Sequence, residues 1–160
     1  MKIVNSASTE LDAADRRLLT VLQDDGRISV VDLAAKIGLS PTATTERVKR
    51  LTREGYILGY GARLDPVKLQ RALLVFIEVK LERTTPDVFD QFANAVMRAP
   101  EVLECHMVAG GFDYLVKTRV ADMNAYRDFV GDVLWSMPGV RETHTYAVME
   151  EIKSSTALPL

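Results

Sequence analysis

The stretch SVVDLAAKIGLSPTATTERVKRLTREG, residues 29–55, decides how this chain reads. Ser29 with Asp32 three residues on has the form of a capping box, and it opens a short helix through Leu33, Ala34 and Ile37 that Gly38 ends. Ser40-Pro41 sets a second start, an N-cap followed by proline at the first helical position, with Val48 and Leu51 as the buried face up to Gly55. Two helices packed across so short a turn need a small residue inside the first and a glycine between them, and Ala34 and Gly38 stand there.

Upstream, Asp12 reads as an N-cap with Leu11 as a hydrophobic staple. Leu18, Leu19 and Leu22 then repeat at helical spacing until Asp24-Asp25-Gly26. Three helices therefore precede residue 56, the content of a helix-turn-helix unit. With Val48 and Leu51 inward, the 100° step turns Thr42, Glu46, Lys49, Arg50 and Arg53 outward, with Thr45 and Arg47 on the flanks and Ser40 at the helix start. Such a face suits a major groove, since lysine and arginine neutralise phosphates or pair with guanine and a threonine meets a phosphate or a thymine methyl. The plainer alternative is a three-helix packing unit with a solvated basic face. Thr44 stands where an apolar residue is expected to seat the helix, a role it can fill by burying its methyl and bonding back to the backbone.

Charge distribution favours the nucleic-acid reading more than net charge does. The whole chain carries a formal -2, yet Arg27–Arg53 holds six basic residues against two acidic ones, whereas residues 61–160 hold 11 basic against 14 acidic.

Residues 56–71, with Gly59, Gly61 and Asp65-Pro66 among short apolar pieces, read as a linker strand and turn. From Leu73 the period becomes two, with Leu73, Val75, Ile77, Val79 and Leu81 on one face. The other face bears Leu74, Phe76, Glu78, Lys80 and Glu82, only half polar, and so calls for cover. Thr85-Pro86 caps a helix bearing Phe89, Phe92, Ala93 and Val96, and strands follow at 102–109 and 113–120, joined at Gly110-Gly111. Asp122 caps a helix with the stripe Tyr126, Phe129, Val130, Val133, Leu134 and Met137, which Pro138-Gly139 stops, and a last strand runs from Val140 to Met149. The fold class is α+β: a helix-turn-helix domain over 1–58, a linker over 59–71 and a ferredoxin-like βαββαβ domain over 72–160. A second copy of the sheet is the economical cover for its open face.

Leu11-Asp12, Asp15, Asp24-Asp25-Gly26-Arg27, Gly38-Leu39-Ser40-Pro41, Arg47-Val48 and Leu51 together resemble the leucine-responsive (Lrp/AsnC, feast/famine) bacterial regulators. So do Leu74-Val75-Phe76, Pro86-Asp87-Val88-Phe89, Glu104-Cys105-His106, Gly111-Phe112-Asp113-Tyr114, Lys117-Thr118-Arg119, Pro138-Gly139-Val140 and Thr145-Tyr146. The resemblance runs from about Leu11 to Ser154. It implies double-stranded operator DNA as partner, self-association into dimers and an octamer, and an amino-acid effector bound between dimers, leucine or another apolar one. It also implies an effector site of the Gly110–Asp113 turn (Gly110, Gly111, Asp113) with Met123, Tyr146 and Val148. Backbone at the turn would take the carboxylate, Asp113 the ammonium and the other three the side chain. Read from spacing alone, Gly-Gly between strands is a common hairpin, Asp113 a backbone-bonding turn residue, and Met123 and Val148 core.

Catalysis has little to work with. His106 and His144 are the only histidines and sit in alternating strands, and Cys105, the only cysteine, points to the sheet face opposite His106. No disulfide, paired-cysteine zinc site, metal or cofactor is expected. Glu150-Glu151 reads as a solvated pair. The polar start, Met1 to Glu10, and the lack of an apolar run of about 20 residues point to the cytosol, with nucleoid association when bound to DNA.

Overall fold

The computed structural model describes residues 10–160, and the polar start read at residues 1–9 lies outside them. The chain forms two compact units, one comprising the chain up to Arg63 together with Lys153–Leu160, the other Leu64–Ile152. The reading from sequence places residues 153–160 with the second domain; by their contacts they group with the first.

In the first unit, α1 (Ala13–Asp24), α2 (Val30–Ile37) and α3 (Pro41–Arg53) begin and end where their caps do. Asp12 and Asp15 close a reciprocal capping box, Ser29 accepts from Asp32 N, and Ser40 accepts from Ala43 N with Pro41 behind it. Gly38 ends α2 in the left-handed region at φ 75°, a conformation that costs a side-chain-bearing residue free energy. Leu18, Leu33, Ile37 and Leu51 fill the core between the helices, each worth about 1.5 to 3 kcal/mol of apolar burial. Thr44 is fully buried with them, and its Oγ1 donates to Ser40 O at 3.0 Å, so the hydroxyl is satisfied inside its own helix.

A charge is buried here as well. Asp15 on α1 is 1% exposed and receives Arg47 on Oδ1 at 2.7 Å and Arg50 on Oδ2 at 2.6 Å; Arg47 also reaches Asp12 at 2.7 Å. Burial pushes the Asp15 carboxyl up, but the hydrogen bonds from Arg50, Arg47 and the Asp12 backbone outweigh it and hold the group below the usual carboxylate range.

The second unit is a four-stranded antiparallel sheet in the order β2-β3-β1-β4, with β1 Leu73–Leu81, β2 Val102–Met107, β3 Tyr114–Val120 and β4 Val140–Ala147. Two helices, α4 (Pro86–Arg98) and α5 (Met123–Phe129), supply the crossovers of the expected βαββαβ order. β1 is central, and its residues Val75, Ile77 and Val79 are fully buried, facing Phe92, Val116, Tyr126 and Phe129 among others. Phe92 lies against the Tyr114 ring at 4.5 Å between centroids, and the Tyr126 hydroxyl bonds Thr145 of β4.

Five expectations need correction. The Thr85 side chain makes no cap hydrogen bond at the start of α4, so Pro86 at the first helical position marks that start instead. No strand forms over 56–71, only a turn at Pro66–Gln70, because the segment finds no strand partner among the described residues. After Phe129 the second crossover widens into a π-helical turn, Val130–Leu134, before Gly139. Ala93 is exposed, outside the apolar stripe of α4. Leu74, expected on an open face, is 5% exposed: its carbonyl accepts Val148 N and its cross-strand neighbour Arg119 pairs with Glu151 at 2.6 Å, so the chain after β4 is held beside that end of the sheet.

Replacing Asp15 by asparagine is expected to destabilise the chain by about 1 to 3 kcal/mol at pH 7, measured by urea unfolding. The carboxyl is depressed in the folded state, so its contribution is complete above its unfolded value of about 4 and fades as pH falls through the folded one. The gap between wild type and Asp15→Asn should therefore close on acidification below about pH 4.

Candidate nucleic-acid interface and effector site

The cap at Ser40 and the burial of Thr44 and Leu51 fix which side of α3 meets solvent. Thr42, Glu46, Lys49 and Arg53 are exposed, and Thr45 is half-buried with its hydroxyl donating to Pro41 O at 2.9 Å. Lys49 pairs with Glu46 at 3.1 Å, both two-thirds exposed, a contact water and salt weaken readily. Ser40 itself is spent on capping.

Arg50 departs from the expected outward placement. Its guanidinium bends back toward α1 onto Asp15, as does that of Arg47. The hydrogen bonds and nearby carboxylates raise both guanidinium pKa values despite some burial. These two cations orient the helix, and its outward positive charge is carried by Arg53 and by Lys49, whose partner Glu46 is as exposed as itself. Sequence reasoning missed Asp12 and Asp15 as their partners; the available signal was two acids at the start of α1, one its N-cap, beside a basic helix.

In the sheet unit, Asp113 holds the end of β1. Its Oδ2 accepts Leu81 N at 2.7 Å, its backbone N–H donates to Val79 O, and its carbonyl accepts Val108 N. This is the backbone-bonding role that spacing alone suggested. Among the described residues nothing donates to Asp113 Oδ1. The turn beside it frames a hollow of about 360 Å³ on the outer sheet face, where Gly111 and Phe112 meet Glu78, Lys80, Glu142 and His144. Tyr146, half exposed, donates to Glu78 Oε1 at 3.0 Å and so borders this region. Gly110 is exposed on the same turn. Nothing in the strand pattern tied Glu78 and Glu142 to the turn, because the hollow depends on how the turn folds over the sheet.

Met123 and Val148 do not join them. Met123 opens α5 just past Val120, and Val148 N donates to Leu74 O, both at the far end of the sheet. From Tyr114 to Val120 the strand advances roughly 20 Å at about 3.3 Å per residue. One chain therefore presents the turn at one end of the sheet and Met123 with Val148 at the other, with Tyr146 between them opposite Phe76. Met123 is 56% exposed and is not core.

Elsewhere the chemistry is quiet. Cys105 is pushed up to about 11 by burial, which keeps its thiol protonated and unreactive near neutrality. Among the described residues no cluster of His, Cys, Asp and Glu has the makings of a metal site, and no helix is long and apolar enough to cross a membrane.

Residues 11–57 match the winged helix-turn-helix DNA-binding family model, and residues 74–158 match the Lrp/AsnC ligand binding domain. The leucine-responsive regulatory proteins of Klebsiella pneumoniae and Escherichia coli K12 are each 55% identical over 149 residues, covering 93% of this chain and 91% of theirs. A transcriptional regulator of Neisseria meningitidis, solved with L-methionine, superposes with a TM-score of 0.89 at 39% identity, covering 94% of this chain and 97% of that one. An AsnC family regulator of Agrobacterium tumefaciens superposes at 0.88 with 34% identity, covering 92% and 96%. Both matched domains occur here in the order the helices and sheet require, so the chain belongs to the Lrp/AsnC family of ligand-responsive, DNA-binding transcription regulators.

Proposed function

We propose that this chain grips operator DNA through α3 and alters that grip when an apolar amino acid, leucine first among candidates, binds between copies of the chain. The observation that carries the effector reading is Asp113: one carboxylate oxygen is committed to Leu81, and the other is left to meet an ammonium group. Gly110 and Gly111 leave backbone accessible at the turn for the ligand's carboxylate. Met123, Tyr146 and Val148 offer no charge to its side chain, which favours leucine or methionine over a charged amino acid. The relative from Neisseria meningitidis, named for its L-methionine complex, supports the same class.

Because Met123 and Val148 lie at the opposite end of the sheet from the turn, a ligand touching both groups must draw them from different copies. Half-buried Phe76 and Leu115, among the charged side chains of the outer sheet face, supply an apolar centre for a dimer, and further association would bring turn and α5 together. A dimer assembling to an octamer is the arrangement this reading favours. A ligand so placed acts by preferring one arrangement of copies, and hence one spacing of reading helices, over another.

Three outcomes follow. Lys49→Glu with Arg53→Glu should weaken operator binding at least about tenfold and lower the slope of log affinity against log salt by about 2, with unfolding unchanged. An unaltered gel-shift profile would remove α3 from the reading role. Asp113→Asn keeps an acceptor for Leu81 N but loses the charge, so calorimetry should show leucine affinity down by about 1.5 to 3 kcal/mol with thermal stability retained. Equal affinity would exclude Asp113 as the ammonium partner, and a wild type indifferent to all twenty amino acids would overturn the effector reading. Finally, Phe76→Asp should lower the mass seen by light scattering and abolish leucine binding with it; binding retained by a monomer would refute a site between copies.

A further inference from the structure

The reading unit holds a segment that no part of the helix-turn-helix argument uses. Lys153–Leu160 belongs to it by contact, although the strand leading there, β4, belongs to the other unit. The segment is held at the carboxyl end of α1 by one side chain. Gln23 Nε2 donates to Leu158 O at 3.0 Å, and Leu158 N donates to Gln23 Oε1 at 2.6 Å, so a single carboxamide satisfies both main-chain groups of one residue. Beside this pair lies a hollow of about 560 Å³ bordered by Leu22, Gly26, Tyr60 and Thr156. Its wall depends on Gly26, because a Cβ there would stand 2.9 Å from the Tyr60 ring. The side chains of Leu158 and Leu160 remain substantially exposed, so recognition runs through the backbone of an extended segment.

We propose that the end of α1 and the Tyr60 segment form a peptide-docking surface whose occupant is the chain's own Lys153–Leu160. The reading unit is then tied to the sheet unit twice, covalently at Arg63–Leu64 and again through β4 and the docked segment. A flexible single linker lets a reading unit sample many positions, whereas a second attachment at high effective concentration confines it. The docked segment is thus an orientation tether that limits the half-site spacings paired reading units accept. The occupant is this chain because Val148 N is fixed to Leu74 O and Glu151 to Arg119, which delivers the chain to Lys153 along a held path.

Amide exchange at Leu158 tests the docking. Gln23 is exposed, so Gln23→Ala removes both bonds without touching the core. Leu158 should exchange at least about tenfold faster in that variant. Equal exchange in the two proteins would overturn the docking. Mixing isotope-labelled wild type with excess unlabelled Gln23→Ala chains identifies the occupant: protection of labelled Leu158 that survives mixing supports docking within one chain, and its loss overturns that assignment in favour of a neighbouring copy's segment. Operator duplexes whose half-sites are moved apart by about half a helical turn test the tether. Wild type should lose about tenfold or more in affinity, and Gln23→Ala or a chain lacking residues 156–160 about threefold or less. Identical spacing profiles would refute the restraint. None of the three experiments contains an amino-acid ligand, so failure of the tether and failure of the effector reading are separately visible.

Discussion

The reading unit turns on one buried carboxylate. Asp15 lies almost wholly out of water between Arg47 and Arg50, and burying it without both cations would cost several kcal/mol. The pair of bonds spans α1 and α3, whose remaining contact is apolar packing that resists separation but resists sliding less. Packing brings the helices together, and the two guanidiniums, each with a fixed fork of donors, restrict their relative rotation. Asp12 adds a third point, since it caps α1 and also receives Arg47, joining the start of one helix to the middle of another. The direction in which Lys49 and Arg53 project follows from this lock.

A comparable constraint organises the sheet unit around β1, which pairs on both sides and buries alternate residues completely. Its register sets what stands at each end. Near Leu81 the Asp113 carboxylate clamps the final N–H of β1 and the 110–113 turn folds over the outer face; near Leu73 the chain enters α5 and leaves through Val148. The Gly110–Asp113 turn and the pair Met123 and Val148 are therefore separated by the length of the strand itself, with Tyr146 between them.

Much of this was legible because local chemistry determines it. Caps at Asp12, Ser29, Ser40 and Asp122 and the period-two run from Leu73 describe interactions within a few residues, and those appear where the residues place them. What was hidden depends on reach across the fold. A helical wheel assigns Arg50 an outward direction from its Cα, yet a long side chain can turn back to a carboxylate 35 positions earlier. The expected strand over 56–71 needs a partner strand that the described residues do not supply. Leu74 is buried within the chain where the strand pattern left it on an open face, and Gln23 carries no sequence signal of a tie to residue 158. At the candidate effector site the turn and its residues were identifiable, while their division into two ends required the register.

The arginine lock also limits how the unit can hold DNA. Of the four basic side chains on α3, two are paired with the carboxylates of Asp12 and Asp15, and a third, Lys49, has Glu46 beside it. Each phosphate neutralised contributes to affinity through counterion release, so a helix with so little free charge binds modestly by itself. Tight binding then requires several reading units on one DNA molecule, where linkage multiplies weak contacts only if their spacing fits. A regulator built from weakly charged units is for that reason sensitive to geometry: a small change in how copies are arranged alters the fit of every unit at once, whereas a strongly basic unit would stay bound through it.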